Sequence, residues 1–255
     1  GGFFESLKEH DHISFEIVAN SNSIDFYAVC PKNLENLVEK QINAAYPDAE
    51  ITKVDPWFLW SNDGQVEFSS LVLKKADYFP INTYEEMKVD SMAIITAALS
   101  KLHEGEGLAI QMIIRPAEDA WQSNGKAHIK KYFGDRNKVD KDGGGLKMSK
   151  IDEDYIQTIQ DKISKIGFET VIRLVSVSND EASAKANLSN LERAFGQFNN
   201  PTFNSLKKAP KRYEKFFVIS FIARMFPVVD KIDLPFEIPH ILKKEWFKGW
   251  SIFNT

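Results

Sequence analysis

Polar and apolar residues recur along the start of this chain with the periods of strands and helices. Residues 12–19 and 24–30 are short runs of β-forming residues, separated by a polar turn at residues 20–23. A helix is predicted over residues 31–45, because its apolar residues lie three and four positions apart. A further strand is predicted over residues 49–54. Strand, turn, strand, helix and strand in this order are typical of a ferredoxin-like, or split βαβ, unit.

The same succession of elements continues along the rest of the chain. Runs of β-forming or apolar residues predict strands over residues 65–75, 108–115, 168–177 and 216–226, and the segments between them predict helices over residues 83–102, 120–133, 151–166 and 180–198. Thr83 and Glu86 have the spacing of a capping box, so the first of these helices is expected to begin there, with Tyr84 on its apolar face. We predict an α+β fold of two ferredoxin-like (split βαβ) α/β sandwich units with mostly antiparallel sheets.

Three segments differ in composition from the predicted strands and helices. Residues 121–150 contain eight Lys or Arg and three Asp, and their run of glycines indicates a mobile basic loop over residues 134–147. Residues 56–60, PWFLW, form a predicted aromatic loop, and the C-terminal residues are rich in proline and aromatic side chains. The chain is therefore divided into a first unit, a second unit and an irregular C-terminal arm, which are residues 1–140, 141–226 and 227–255.

The composition excludes some classes of protein. A net charge of −4 excludes a generally basic nucleic-acid-binding protein, although it is compatible with a local basic patch. The single cysteine, Cys30, excludes an internal disulfide, and its place at the end of an apolar run predicts a buried thiol. No segment reaches the roughly 18 apolar residues of a membrane span. We therefore expect no direct insertion of these residues into a membrane.

The sequence contains no complete catalytic or cofactor motif. A phosphate-binding P-loop requires G-x-x-x-x-G-K-[ST], and around Lys126 both the first glycine and the final Ser or Thr are missing. His10 and His12 lack a second pair of metal ligands nearby, and neither H-E-x-x-H nor G-x-S-x-G occurs. Glu104 and Glu106 flank a glycine and are interpreted as turn residues. We therefore predict no catalytic residue, no metal and no cofactor.

Two groups of basic residues are candidates for nucleic-acid binding. Positive side chains neutralise phosphates, and aromatic side chains among them stack on bases. The first group is Lys126, Lys130, Lys131, Arg136, Lys138 and Lys141, the second is Lys207, Lys208, Lys211, Arg212 and Lys215, and the interleaved aromatic residues are Tyr132, Phe133 and Tyr213. The alternative is that these basic residues only solvate surface loops.

Two arginines interrupt predicted apolar strands. Arg115 ends the strand over residues 108–115, and Arg173 lies within the strand over residues 168–177. Because an unpaired charge is costly to bury, each guanidinium is expected to reach a carboxylate or the protein surface. We assign a structural role to Arg115 and Arg173, and also to Trp121, which follows the first of these strands.

Several segments resemble one bacterial family. They are HISFEIVA, QINAAYPDAEI, ALSKLHEGEGLAIQMIIRPAEDAW and AFGQFNNPTFNSLK. They are similar to uncharacterised domains that precede the motor of type IV secretion coupling-protein-like ATPases, in the FtsK–HerA-type pumping superfamily. The similarity spans residues 12–207 and returns at the extreme C-terminal end, and its most specific block is residues 104–121. The loop over residues 134–147 and the sequence after residue 227 depart from the family pattern, so neither inherits a role.

The resemblance implies a function that the residues alone do not indicate. It implies a non-catalytic N-terminal accessory or assembly domain of a conjugation-like ATPase that pumps DNA or protein. In that family a segment similar to residues 253–255 leads into the ATPase domain. The expected partners are that downstream domain, further copies of the chain and DNA, and the expected location is cytoplasmic, at the inner face of the membrane through the parent protein.

Two other classes of function remain open from the sequence. One is a stand-alone single-stranded nucleic-acid-binding domain that uses the basic groups. The other is an enzyme with an unrecognised site, which would place Glu104, Glu106 or Arg115 in a deep polar pocket with strongly shifted pKa values.

Overall fold

A computed structural model of the chain describes residues 12–55, 64–87, 89–139, 149–210, 214–226 and 250–254. The strands are β1 (Ile13–Asn20), β2 (Ile24–Pro31), β3 (Thr52–Lys53), β4 (Gln65–Leu73), β5 (Gly107–Pro116), β6 (Phe168–Ser178), β7 (Leu206–Lys208) and β8 (Trp250–Asn254). The helices are α1 (Glu35–Ala45), α2 (Ser91–Leu99), α3 (Ala120–Val139), α4 (Lys150–Ile163), α5 (Glu181–Ala194) and α6 (Glu214–Ile222). Among the described residues, no helix combines the length and the apolar character that a membrane span requires.

The strands form one antiparallel sheet. Its order is β3-β8-β2-β1-β5-β6-β4-β7, and each neighbouring pair runs antiparallel. The central strand β5 pairs with β6 along its whole length and with β1 along most of it. Its residues from Gly107 to Gln111 are buried. The predicted α+β class with an antiparallel sheet is confirmed.

The sheet continues across the predicted boundary at residue 140. β4 comes from the predicted first unit, yet it lies between β6 and β7, which come from the predicted second unit. β5 and β6 also belong to different predicted units, and they pair from Gly107↔Val177 to Pro116↔Phe168. The strands of the two predicted units therefore share one sheet, because long pairings join strands from both sides of residue 140.

The two faces of the sheet are covered by different helices. We call the face that carries Leu108 and Ile110 the upper face; α2 and α5 pack on it, and α1 packs on the same face beside β2. We call the face that carries Ala109 and Gln111 the lower face, and α6 packs on it. Because successive residues of a strand point to opposite faces, the position of a residue along its strand decides which helix it meets.

Helices α3 and α4 form a hairpin that connects β5 to β6. Their apolar sides pack together and against Phe203. Gly125 permits this close approach, since a Cβ atom at that position would lie 2.7 Å from Ile163 Cγ2 and 3.0 Å from Tyr78 Cβ. The helices predicted over residues 120–133 and 151–166 are confirmed with shifted ends. Helix α3 continues to Val139, into the segment predicted as a mobile loop.

The strand predicted over residues 216–226 is wrong, because Glu214–Ile222 form helix α6. Apolar residues occupy nearly every position of this segment, so its sequence carries no period that separates a buried strand from a buried helix. Phe217 and Phe221 of α6 pack on the lower face, and Phe217 stacks on Phe68 with 4.1 Å between ring centroids. Packing on the sheet therefore decided between two conformations that the local pattern left equal.

The helix predicted over residues 83–102 is divided in two. The predicted capping box of Thr83 and Glu86 is present, but it begins only a 3₁₀ turn at Tyr84–Glu86. Helix α2 then begins separately, where Asp90 Oδ1 accepts a hydrogen bond of 2.9 Å from the backbone N–H of Met92. Tyr84, predicted to face the core, is 76% exposed because it precedes this second start.

The predicted C-terminal arm contributes a strand to the sheet. β8 lies between β2 and β3, which corrects the expectation of an irregular segment for those five residues. The strand predicted over residues 49–54 is reduced to β3. The remainder of the arm at residues 227–249, the aromatic loop at residues 56–60 and residues 140–148 lie outside the described part of the chain.

Candidate functional site

A row of polar side chains crosses the lower face of the sheet at its centre. Glu16 of β1 lies opposite Gln111 of β5, and Gln111 lies opposite Arg173 of β6. Each of these three residues is at most 4% exposed. Helix α6 and the residues after it cover the row, so it belongs to the interior of the protein. We call this row, together with Arg224 and His12, the buried polar network.

Arg224 pairs with Glu16 through two parallel hydrogen bonds. Arg224 Nε donates to Glu16 Oε1 at 2.8 Å, and Arg224 Nη2 donates to Glu16 Oε2 at 2.8 Å. The two side chains are 5% and 0% exposed. Such bidentate pairs are among the stronger hydrogen-bonded contacts in proteins, because both groups are charged and their geometries match.

The backbone at Arg224 ends helix α6 in a left-handed conformation. Its φ is 52°, and the N–H of Met225 donates to Ser220 O at 2.9 Å while the N–H of Arg224 donates to Phe221 O at 3.2 Å. This is the Schellman pattern, in which the left-handed position is usually glycine. An arginine there costs on the order of 1 kcal/mol of backbone strain. The pair with Glu16 gives a physical reason for tolerating it.

Arg173 is held by neutral acceptors. Its Nη1 donates to Gln111 Oε1 at 2.8 Å and to Ser220 O at 3.1 Å, and its Nη2 donates to Met225 O. Burial lowers the pKa of Arg173 to about 10, and the nearby carboxylate of Glu16 opposes this shift. The prediction that Arg173 must reach a carboxylate or the surface is therefore corrected. The carbonyl oxygens at the C-terminal end of α6 carry partial negative charge and help to balance the second arginine.

The carboxylate of Glu16 is held by side chains of the protein. Besides the two bonds from Arg224, it accepts one from Ser14 Oγ at 2.8 Å and one from Gln111 Nε2 at 2.9 Å, both at Oε1. A carboxylate offers about four lone-pair sites. Gln111 Nε2 also donates to Phe221 O at 2.9 Å, and His12 Nε2 lies 2.7 Å from Arg224 O. The network therefore joins α6 to three central strands.

The sequence interpretation missed Glu16, Gln111 and Arg224. Glu16 alternates with the apolar residues of β1, and this pattern does not distinguish a buried carboxylate from an exposed one. The available signal was the recurrence of charged or amide side chains at the middle of otherwise apolar strands. The partner, Arg224, lies 208 positions away from Glu16, and no local pattern identifies such a pair.

Arg115 and Trp121, which the sequence assigned to structural roles, both make contacts within the fold. Arg115 Nε donates to Glu169 Oε2 at 2.6 Å, which is the carboxylate contact expected of an arginine in an apolar strand. The guanidinium carbon of Arg115 also lies 4.1 Å from the ring centroid of Phe226. Trp121 packs on Gly167, where a Cβ atom would lie 2.6 Å from the indole ring.

Glu106 and Arg115, two of the residues that an unrecognised enzyme site would use, do not lie in one pocket. Glu106 precedes β5, where it accepts bonds from the N–H of His103 at 2.8 Å and from Ser178 Oγ at 3.2 Å. Arg115 is at the far end of the same strand, roughly 30 Å away at the rise of an antiparallel strand. Among the described residues, no group of three or more His, Cys, Asp or Glu could hold a metal ion. Burial, followed by the charge of Glu35, raises the pKa of the Cys30 thiol to about 11, which disfavours the nucleophilic thiolate.

The α3–α4 hairpin holds a cluster of aromatic rings around His128. His128 Nε2 lies 3.1 Å from Tyr155 Oη, and Tyr155 stacks on Phe203 with 5.4 Å between ring centroids. Tyr132 Oη donates to Asp152 Oδ1 at 2.6 Å. Partial burial and the nearby charge of Lys131 lower the pKa of His128, and burial raises the pKa of Tyr155. These contacts fix α3 on α4.

The predicted nucleic-acid-binding residues fall into different environments. Lys126, Lys130 and Lys131 are exposed on α3. Lys207 and Lys208 are exposed on β7, with Lys207 on the lower face and Lys208 on the upper face. The Lys208 ammonium is paired with Glu192 of α5. The side chains that lie outside the described part of the structure are those of Arg136, Lys138, Lys141, Lys211, Arg212, Tyr213 and Lys215.

Comparison with known protein families identifies one family whose model matches this sequence. Residues 2–213 match the family model described as a domain of unknown function (DUF8128). No curated protein and no solved structure matches the chain. The match covers most of the sequence, and it includes the central strands β1, β5 and β6 with Glu16, Gln111 and Arg173. The chain therefore belongs to the DUF8128 family of domains of unknown function.

Proposed function

We propose that the chain is a non-catalytic N-terminal accessory and assembly domain of a type IV secretion (conjugation)-like ATPase that pumps DNA or protein. The similarity of four sequence segments to domains that precede such motors supports the pumping role. The observation that carries the assembly role is the position of β8 inside the sheet. In this proposal the partners are the ATPase domain of the same chain, further copies of the protein and the pumped substrate, at the cytoplasmic face of the membrane.

β8 ties the C-terminal residues to the start of the sheet. It pairs with β2 from Tyr27↔Asn254 to Pro31↔Trp250, and with β3 at Thr52↔Asn254 and Lys53↔Phe253. A domain that follows such a strand is attached to a hydrogen-bonded sheet and not to a free linker. Its orientation relative to the sheet is then restricted, as an assembly domain of a ring-shaped motor requires.

The buried charges support a scaffold more than an enzyme. Arg224 pairs with Glu16, and Arg173 donates to Ser220 O at the end of α6, so these charges hold the helix on the sheet. Buried polar networks of this kind stabilise one arrangement of elements when every member is hydrogen-bonded. A domain that transmits orientation to a motor benefits from such a fixed arrangement.

The coding sequence after Thr255 tests the proposal first. A P-loop soon after this position supports it, and a stop codon there overturns it. The second test uses the full-length protein with the substitution Phe253→Pro. Phe253 is paired on both sides, with Ala28 and Lys53, so a proline removes a ladder hydrogen bond whichever way its N–H points.

The expected result is that full-length Phe253→Pro protein loses oligomer and ATPase activity, while the matched Phe253→Val protein, which keeps the N–H, retains both. Sedimentation velocity and ATP hydrolysis measure the two properties. A truncated parent protein that lacks residues 1–255 is the second comparison. If it assembles and hydrolyses ATP as well as the full-length protein, the assembly role is contradicted.

A further inference from the structure

The solvent side of helix α3 is positively charged in an otherwise acidic chain. Residues 120–134 contain three lysines and no aspartate or glutamate, although the whole chain has a net charge of −4. The opposite side of the helix, with Gly125, Ile129 and Tyr132, packs on α4. The three lysines therefore project from a surface that α4 holds in place.

Two of these lysines share a stripe with an exposed aromatic ring. Lys126, Lys130 and Phe133 are spaced four and three residues apart, which places them on one side of a helix. Phe133 is 37% exposed, and the lysines are exposed as well. Lys131 lies on the next row, close enough to His128 to influence its pKa. Positive charge and an accessible ring therefore occur together.

Lys126, Lys130 and Lys131 form no ion pair within the described part of the chain. Other exposed lysines do: Lys53 pairs with Glu35, Lys185 with Glu181, and Lys208 with Glu192. An unpaired group of like charges is destabilising for an isolated helix. The same group is complementary to a polyanion, since each lysine can neutralise one phosphate.

We propose that the solvent side of α3 binds single-stranded nucleic acid, with Lys126, Lys130 and Lys131 on the phosphates and Phe133 stacked on a base. Single strands expose the faces of their bases, which a duplex hides. An anionic membrane fits less well, because a helix that lies on lipid needs a broad exposed apolar face. The apolar side of α3 is occupied by α4, which leaves Phe133 as the exposed aromatic residue of this stripe.

This site does not include Lys207 and Lys208 of β7. The charge of Lys208 is already paired with Glu192, and Lys207 lies on the opposite face of the sheet from Lys208. The inference rests on α3 alone and goes beyond the proposed assembly role. A domain without any motor could carry the same site.

Binding is tested by fluorescence anisotropy with a labelled oligothymidylate. The wild-type chain is expected to bind it, and the logarithm of the association constant should fall with the logarithm of salt concentration with a slope of about −2 for three neutralised phosphates. The triple variant Lys126→Glu, Lys130→Glu and Lys131→Glu should bind at least about tenfold more weakly.

The matched control is Lys32→Glu, Lys40→Glu and Lys101→Glu. It makes the same change in net charge at exposed positions beside α1 and α2, so it separates a local site from general electrostatic repulsion. The control should retain most of the wild-type affinity. Equal weakening of both triple variants, or no binding at low salt, overturns the proposal.

A separate variant tests the proposed stacking of Phe133 on a base. Phe133→Ala keeps every charge and should weaken binding of the oligothymidylate by about tenfold, within the range for loss of one base stack. A Phe133→Ala protein that binds single strand and duplex as the wild type does would overturn the single-strand assignment. Tighter binding to vesicles of anionic lipid than to the oligonucleotide would do so as well. Thermal unfolding of each variant checks that the fold is kept.

Discussion

The buried polar network and the solvent side of α3 use charge in opposite ways. In the network, Glu16, Arg173 and Arg224 are at most 4% exposed and each is hydrogen-bonded within the protein. On α3, Lys126 and Lys130 face solvent and form no ion pair among the described residues. In the network, the charged groups are bound within the protein and hold α6 on the sheet. On α3, the charged groups face solvent.

The difference shows why the type of residue alone does not identify a functional site. Buried groups with shifted pKa values are common in active sites, yet here the lowered pKa of Arg173 accompanies three hydrogen bonds to acceptors within the protein. Lysines on a surface helix are common too, yet Lys126, Lys130 and Lys131 form no ion pair among the described residues. What distinguishes the two regions is whether each charge already has its partner.

The largest expected effect comes from removing the charge of Glu16. Glu16→Gln leaves Arg224 and Arg173 buried without a carboxylate, so the free energy of unfolding should fall by about 3–5 kcal/mol. Urea denaturation measures this change. A loss below about 1 kcal/mol would show that the pair is not a structural anchor, since exposed pairs contribute that little.

The glycines of α3 separate its packed side from its exposed side. Gly125→Ala should destabilise the protein by about 1–3 kcal/mol, because the new methyl group meets Ile163 and Tyr78. The matched control is Gly134→Ala in the same helix, where a Cβ atom meets nothing within 4 Å. That variant should stabilise the protein by about 0.5–1 kcal/mol. Thermal unfolding of both proteins compares them, and changes of the same sign would contradict the packing of α3 on α4.

The pair of Arg115 and Glu169 tests how exposure weakens an ion pair on the same face of the sheet. The two side chains are 23% and 41% exposed. Glu169→Gln should therefore lower the free energy of unfolding by less than about 1 kcal/mol. Urea denaturation of the Glu169→Gln and Glu16→Gln variants compares the two losses in the free energy of unfolding. Equal losses in the two variants would remove the distinction between buried and exposed charge.

The smallest expected effect is a change in the titration of His128. Burial and then Lys131 lower its pKa in the folded protein, so the unfolded chain binds the proton more readily. Stability should therefore fall as the pH drops from about 7 to about 5, through the ordinary pKa of histidine. Lys131→Glu should raise the pKa of His128 and reduce this loss. An NMR titration of the imidazole checks the direction, and an unchanged pKa would place Lys131 away from the ring.

Several elements could be predicted because their residues carry a local pattern. Strand β1 follows from alternation, β5 and β6 from runs of β-forming residues, and helices α4 and α5 from apolar residues three and four positions apart. The assignment of residues 216–226 to a strand failed for the opposite reason, since an apolar run without a period fits either conformation. The basic residues of α3 were recognised, but the sequence did not separate them from Lys207 and Lys208.

The sequence by itself determined the α+β class, the antiparallel character of the sheet and the structural contact of Arg115, because these depend on local periods and on the cost of burying a charge. Only the tertiary structure decided that the strands form one sheet, that β8 enters it beside β2, and that Glu16 meets Arg224 across 208 positions. These features depend on contacts between distant parts of the chain. The free energy of such contacts depends on how distant segments pack together, so it cannot be inferred from the sequence of any one segment.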